Sequence, residues 1–397
     1  MKLLYQNCLR QKNLSLAFVK FDSISYNAHM RIGIDARLWE QTGVGRYIRN
    51  LVVNLQKIDK KNHYILFIRS QDLESVNKEI KSKNWKIIET NIKWHSISEQ
   101  IQFPLMLNKA KLDLVHFPYF SVPILYKKPY VVTIHDLIID HFSTGEASTL
   151  AYPLYFGKRV SYKFIINQAA KRAKKIIVPS NATKEEIMDH LKILEKKINV
   201  IPEASDRNLK PQKPNSKSQI SGKYFLYVGN AYPHKNLVSL IYAFNKIAKD
   251  NKDLKLILVG QKDFFYQRLE EENKSDKIIF YGKATDRELT NLYLNAIALV
   301  MPSLMEGFGL PVLEAMSLKC LVVCSNIPSF REIASNSAIY FRPEDANDIK
   351  ETMKSVYVNN EKYRKEKLES AFKRSQKYSW KKAAVETLNV YESCANL

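Results

Sequence analysis

The chain has 397 residues but only four cysteines, Cys8, Cys320, Cys324 and Cys394. They are too few and too scattered for a disulfide framework, and they fit a reducing compartment such as the cytoplasm. Cys320 and Cys324 frame an apolar, strand-like run, Leu321-Val322-Val323, with no second Cys/His pair nearby, so zinc binding there is not expected. No run of about eighteen apolar residues occurs, and no transmembrane helix is expected. No Asp-x-Asp pair occurs either, so no obligatory metal is expected and no metal ligand is assigned.

Acid is also in short supply. The 40 Asp+Glu stand against 62 Lys+Arg, a formal net charge of +22. Such a balance can serve nucleic acid or an anionic membrane surface, or it can follow from a Lys-, Asn- and Ile-rich composition typical of AT-biased coding. No zinc-finger spacing, RNP-type aromatic motif or helix-turn-helix pattern is present, so no nucleic-acid partner is expected. Composition, with a contribution from a membrane surface, is the favoured cause. Between Lys158 and Lys175 stand seven Lys/Arg and no Asp/Glu, interleaved with Val160, Phe164, Ile165 and Ala169. This reads as a basic amphipathic helix or helix pair, either a solvated face or one resting on anionic headgroups.

What the chain does have is a repeated alternation of short apolar runs and helical patterns. The apolar runs are 31–37, 112–117, 130–136, 175–181 and 198–202, then 224–230, 254–260, 278–282 and 298–302. Strands alternating with helices imply parallel sheets in an α/β protein, and the length allows two domains. The expected organisation is an N-terminal Rossmann-like domain over 30–205, a polar linker over 206–221, and a C-terminal Rossmann-like domain over 222–377. A final amphipathic helix over 378–397 carries Trp380 and Tyr391. Residues 1–29 fit poorly with the rest and are expected to be an extension or to precede a true start at Met30.

The densest chemistry lies in Glu306-Gly307-Phe308-Gly309-Leu310-Pro311-Val312-Leu313-Glu314. An apolar strand, Ala298 to Met301, ends at Pro302, and a loop follows at the strand's C-terminal edge, where α/β proteins bind ligands. Gly307 and Gly309 permit close backbone approach or positive φ. Pro311 suits the first turn of a helix, whose free N–H groups favour an anion. Glu306 and Glu314 can face one crevice and accept hydrogen bonds from sugar or ribose hydroxyls.

This stretch resembles the Glu-x7-Glu signature of glycosyltransferase family 4, retaining enzymes of the GT-B fold. The resemblance runs from about Arg31 to Leu397. It implies two Rossmann-like domains facing a cleft, with the last helix crossing back onto the first domain. It implies that Glu306 contacts the donor hexose and Glu314 the nucleotide ribose, with Gly307, Phe308, Gly309 and Leu310 along the sugar and phosphates. Further matches follow. Thr42-Gly43-Val44-Gly45-Arg46-Tyr47 lies after the first strand; it lacks the third glycine of a dinucleotide site, and the resemblance puts Gly43 and Gly45 beside the donor phosphates and Arg46 near the acceptor. Ile134-His135-Asp136 ends another strand. His135 acts through a ring nitrogen or its backbone carbonyl, and Asp136 orients it or touches the acceptor. His116 is read as structural.

Pro233-His234-Lys235-Asn236 resembles a family loop in which a basic pair neutralises the donor diphosphate. Lys235 matches; His234 replaces the usual Arg, which predicts diphosphate binding that is weaker or pH-sensitive, because His titrates near neutrality. The loop after 278–282 is expected to hold the base, and Asn326 and Glu332 to brace the donor site. The implied catalytic set is His135, Glu306 and Lys235. The implied substrates are a nucleotide diphosphate sugar and a glycan or lipid-linked acceptor, with no cofactor. The combination of motifs looks most like mannosyltransferases of surface polysaccharide assembly, with GDP-mannose as first donor. An epimerase or a phosphorylase of the same fold would need acid/base or pyridoxal-lysine sites that the chain does not display. A nucleic-acid-binding protein would leave the Glu-x7-Glu loop unexplained.

Overall fold

A computed structural model describes residues 29–41, 43–142, 152–206, 209, 222–358 and 361–395. The expected 1–29 segment and 206–221 linker lie almost wholly outside these residues, as does Thr42. Short runs buried on both faces form parallel strands, and the intervening amphipathic runs form crossover helices.

The N-terminal half contains β1 (Arg31–Asp35), α1 (Gly43–Ile58), β2 (His63–Ile68), α2 (Leu73–Glu79), β3 (Trp85–Glu89), α3 (Ile97–Lys109) and β4 (Leu114–Phe117). It continues with β5 (Tyr130–Thr133), α4 (Ile138–His141), α5 (Tyr152–Arg172), β6 (Lys175–Val178), α6 (Asn181–Leu191) and β7 (Ile198–Val200). The C-terminal half begins with β8 (Lys223–Val228), α7 (Leu237–Ala248), β9 (Leu254–Val259), α8 (Phe264–Glu272), β10 (Ile278–Gly282), α9 (Asp286–Asn295) and β11 (Ala298–Met301). There follow α10 (Leu310–Ser317), β12 (Val322–Ser325), α11 (Pro328–Ala334), β13 (Ile339–Phe341), α12 (Ala346–Val358), α13 (Glu361–Ser375) and α14 (Trp380–Ala395).

Both sheets are parallel, in the orders β3-β2-β1-β4-β5-β6-β7 and β10-β9-β8-β11-β12-β13. Strand order reverses between β1 and β4 and again between β8 and β11. A crevice at the C-terminal strand edge opens at such a switch point. The loops after β8 and β11 therefore form one wall of a cleft, and the loops after β1, β4 and β5 form the other.

On one face of the N-terminal sheet, Tyr47, Leu51 and Leu55 of α1 pack with Trp380, Ala384 and Tyr391 of α14. On the other, Phe103, Leu107, Ile166 and Ile187 bring in α3, α5 and α6. The last helix thus crosses back, as the resemblance implied. Its Trp380 Nε1 donates to the Ser205 carbonyl at 3.1 Å. Buried His116 is bonded to Tyr391 at 2.7 Å and Thr133 at 2.8 Å, and burial pushes its imidazole down to about 3.

Two features differ from the sequence reading, the unanticipated strands and the faces of α5. β2, β3 and β13 were not anticipated. Of the two alternatives for the basic segment, helix or helix pair, the single helix is found, ending at Arg172, and Lys175 opens β6 as expected. That helix is also apolar on two faces: Tyr162 and Ile166 are buried, while Phe156, Val160 and Phe164 are 58%, 53% and 53% exposed. Among the described residues no helix is long and apolar enough to cross a membrane.

Candidate active site

The loop after β11 is shaped by two glycines. Gly309 takes φ +115°, a left-handed conformation that favours glycine, and N-caps α10 without a side-chain cap; Pro311 has no N–H and Val312 N–H donates to the Gly309 carbonyl at 3.0 Å, which leaves the Leu310 N–H at the helix start. Gly307 lies so close to the other domain that a Cβ would stand 1.9 Å from the His135 carbonyl oxygen. Its own carbonyl accepts from Ser180 Oγ at 2.5 Å and Thr183 Oγ1 at 3.0 Å. Phe308 turns its ring into the core, and half-buried Leu310 opens the helix. What this stretch offers the cleft is mainly backbone.

Glu306 Oε1 accepts from Lys235 Nζ and from Ser303 Oγ, both at 2.7 Å. Burial alone would raise this carboxyl, but Lys235, His234 and Ser303 reverse the effect and hold it below its ordinary range. Leu304 N–H donates to the His234 carbonyl at 2.8 Å, tying the loops after β8 and β11 together. Burial, aided by the charge of Lys235, pushes the His234 imidazole down to about 4. Lys235 is therefore the cation of this loop.

Glu314 is 1% exposed, and both its carboxylate oxygens are engaged. Oε1 is paired with Arg46 Nη1, and Oε2 accepts from Tyr293 Oη at 3.0 Å. Burial raises the Glu314 carboxyl despite this pairing, while Glu314 keeps Arg46 firmly charged. Arg46 also faces Asp286 at 3.5 Å and Asp206 at 3.8 Å. The structure thus brings Arg46, expected beside the acceptor, onto α10. Gly43 starts α1 with no atom within 4 Å of where its Cβ would be, whereas a Cβ on Gly45 would strike the Trp39 carbonyl at 2.4 Å.

His135 follows β5. Its Nδ1 meets Glu203 Oε1 at 3.0 Å and its Nε2 meets the Pro118 carbonyl at 2.9 Å. Both partners are acceptors, so both ring nitrogens donate. Burial opposes the charge, but Glu203 outweighs it and the imidazole is raised above its ordinary value. The ring is occupied, and the carbonyl packs against Gly307 and accepts from Thr183 Oγ1 at 3.3 Å. Asp136 Oδ1 accepts from Ile138 N–H at 3.1 Å, and burial raises its carboxyl.

A cavity of about 460 Å³ opens between the domains, lined by Asp136, Thr183, Glu186, Glu306, Gly307 and Ser329 among others. A larger hollow of about 620 Å³, lined by Lys57, Lys60, Lys81 and Lys83, lies beside α1 and the end of α2, away from these residues. Glu332, expected to brace the donor site, instead accepts from the Asn181 and Ala182 N–H groups of α6 at 2.9 and 3.3 Å, capping a helix of the opposite domain. Asn326 Oδ1 accepts from Arg331 Nε at 2.6 Å. Glu203, Tyr293 and Thr183 escaped the sequence reading. Nothing local marks them.

Two open parallel sheets meeting at a cleft, with an acid–lysine pair beside an uncapped helix start, define a two-domain enzyme of the GT-B class. The N-terminal half matches the model "Glycosyltransferase Family 4" over residues 41–208, and the C-terminal half matches "Glycosyl transferases group 1" over residues 208–374. The chain belongs to the glycosyltransferases built from this pair of domains. It is 29% identical to the O-antigen chain mannosyltransferase RfbU of Salmonella typhimurium, over 66% of this chain and 70% of that protein. It is 27% identical to O-antigen chain mannosyltransferase B of Escherichia coli, over 72% and 76%. In fold it resembles sucrose-phosphate synthase from Thermosynechococcus elongatus, with TM-score 0.74, 18% identity, and 92% and 99% of the two chains covered. It also resembles Anabaena HepE, solved in complex with UDP and glucose, with TM-score 0.69, 15% identity, and 93% and 100% covered.

Proposed function

We propose that this glycosyltransferase moves a hexose from a nucleotide diphosphate sugar, GDP-mannose in the first instance, to a glycan or lipid-linked acceptor in surface polysaccharide assembly, with retained anomeric configuration. The observation that carries this reading is the Glu306–Lys235 pair at the open start of α10, set opposite His135 and Asp136. The printed names of the two relatives support mannose.

In this reading Lys235 and the Leu310 N–H at the start of α10 stabilise the charge that grows on the departing diphosphate. The open face at Gly43 leaves room for the phosphates to approach α1. Glu306 holds the hexose hydroxyls, Glu314 the ribose, and the backbone from Gly307 to Leu310 follows the sugar. Departure leaves an oxocarbenium-like centre. The acceptor hydroxyl attacks it from the same face, near the His135 carbonyl and Asp136, and gives its proton to the departing diphosphate. The protein acts in the cytoplasm, with the basic, doubly apolar α5 resting on an anionic membrane face.

Calorimetric titration with GDP, UDP, ADP and dTDP tests the donor site. Selective GDP binding is expected. Selective UDP binding replaces mannose with a UDP-linked sugar, and folded protein that binds none of the four overturns the reading.

A further inference from the structure

We propose that the aromatic rings of Trp94, His95 and Tyr119 form an acceptor platform that stacks against one face of an uncharged pyranose ring. This rests on the glycosyl-transfer reading above and adds to it the kind of residue that the acceptor presents.

The rings lie on two loops at the C-terminal edge of the N-terminal sheet, the edge at which parallel sheets bind ligands. Trp94 and His95 stand between β3 and α3, and Tyr119 follows β4. The Trp94 ring lies 4.4 Å from that of His95 and 6.1 Å from that of Tyr119, and the His95 and Tyr119 rings are 6.0 Å apart. Phe120 backs Tyr119 at 4.2 Å and is itself backed by Tyr162 at 4.9 Å. His95 is exposed and Trp94 and Tyr119 are half-buried, so the cluster is an open surface with a packed floor.

The platform adjoins the reacting centre. The Pro118 carbonyl, next to Tyr119 in the chain, accepts from His135 Nε2 at 2.9 Å. The Tyr119 hydroxyl is raised chiefly by burial and further by Asp136 and by Tyr232 of the opposite domain, which places it at the cleft beside Asp136.

A buried ion triad fixes both loops. Arg37 donates to Asp35 at 2.8 and 2.7 Å, to Glu99 at 2.6 Å and to the Ile92 carbonyl at 3.3 Å. Glu99 Oε2 in turn accepts from the His95 N–H at 2.8 Å and from Ser121 Oγ at 2.9 Å. One carboxylate therefore joins the loop after β3 to the loop after β4. It also holds His95 at φ +56°, a left-handed conformation that is unfavourable for a non-glycine residue. Stability alone does not call for buried ions, whereas loops fixed in advance lose less freedom when a ligand docks on them.

The chemistry of the rings selects the ligand. Their faces are apolar and their edges are polar: Trp94 Nε1 donates, Tyr119 Oη donates and accepts, and His95 offers its ring nitrogens. None of these atoms has a hydrogen-bond partner among the described residues. Trp85 Nε1 and Tyr126 Oη are unpartnered too, but they are sealed in the interior, and the platform atoms are not. A pyranose matches such a surface, with C–H groups on one face and hydroxyls around its rim.

The test is saturation-transfer NMR and calorimetry on the full chain, with and without the nucleotide it binds. The probes are the methyl glycosides of mannose, glucose, galactose and N-acetylglucosamine, and the octyl glycoside of whichever binds most tightly. We expect at least one methyl glycoside to bind, with transfer strongest at the C–H groups of one ring face, and the octyl glycoside to match it. Trp94→Ala and Tyr119→Ala each weaken binding about three- to tenfold, the scale of one aromatic contact. Tyr119→Phe, which keeps the ring, stays close to wild type. If Trp94→Ala does not fold, His95→Ala, at an exposed position, and the two Tyr119 variants carry the test. Nucleotide affinity stays unchanged in each variant, so a failed donor reading shows separately, as wild-type protein that binds no nucleotide. Much tighter binding of the octyl glycoside would assign the rings to a lipid tail, and lost nucleotide affinity in the variants would assign them to the base. Either result, no binding of any glycoside, or variants indistinguishable from wild type would overturn the proposal.

Discussion

Arg46 and Glu314 stand 268 residues apart and are paired across the cleft, with Tyr293 holding the other carboxylate oxygen at 3.0 Å. One pair thus joins the first helix of one domain to the signature helix of the other. Because Glu314 is buried, deleting Arg46 leaves its carboxylate without its principal counter-charge. A double-mutant cycle with Arg46→Ala and Glu314→Ala, read by denaturant unfolding, should give a coupling of about 0.5–3 kcal/mol. Additive losses would show that the pair contributes nothing to holding the domains. In the same proteins, Glu314→Ala should weaken nucleotide binding by about 1–3 kcal/mol if ribose bonds to it.

Gly307 tests whether close approach of the domains matters for transfer. A methyl group there collides with the His135 carbonyl, which backbone cannot easily yield. Gly307→Ala should keep the C-terminal fold and nucleotide binding but lower transfer by about a hundredfold, the scale expected when reacting groups are misplaced by about 1 Å. Full activity in this variant would mean that the enzyme works without this contact.

Glu332 is a helix cap supplied from the other domain. Glu332→Ala removes bonds to two N–H groups and to Asn181 Nδ2 at 2.9 Å. Losing such a cap should cost about 1 kcal/mol. Small-angle scattering should also record a larger radius of gyration as the domains part. Lost stability with an unchanged radius would make Glu332 a local brace only.

Much of this arrangement was legible in the sequence, for identifiable reasons. Parallel strands buried on both faces read as apolar runs, so β8, β9 and β11 stood out between their polar loops. β2, with Tyr64 to Ile68 set between Asp59-Lys60-Lys61-Asn62 and Arg69-Ser70, carries the same signal and was legible on the same grounds. β3 is an edge strand that mixes Lys86 and Glu89 with apolar residues, and its signal is weak. Glu306 and Glu314 were legible because glycines and a proline frame them. Their partners were not. Arg46 was legible in its glycine motif but not as the partner of Glu314, and Tyr293, like Ser180 and Thr183 at the Gly307 carbonyl, reaches the site only through tertiary packing. The neutrality of His234 is likewise a product of burial, which no dipeptide reports.

The apolar outer face of α5 offers a direct test of membrane contact. Replacing Phe156, Val160 and Phe164 by Ser removes more-than-half-exposed side chains and leaves Tyr162 and Ile166 in the core. Co-sedimentation with phosphatidylglycerol vesicles should fall sharply, with thermal stability unchanged. Equal sedimentation of variant and wild type would assign this face to plain solvent exposure.

The His135–Glu203 pair predicts a pH dependence whose sign follows from the raised imidazole. The folded protein binds this proton more tightly than the unfolded chain does, so protonation favours folding. The resulting stability is fully present below the unfolded value of about 6.5 and is lost as pH rises through the folded one. Glu203→Gln removes the charge that raises His135 and leaves burial, which lowers it, dominant. The melting-temperature gap between wild type and Glu203→Gln should therefore be widest at acidic pH and should narrow toward pH 9. A constant gap would show that Glu203 acts by packing alone. A gap that widened with pH would mean that His135 is held neutral, which would return a ring nitrogen to the chemistry as an acceptor.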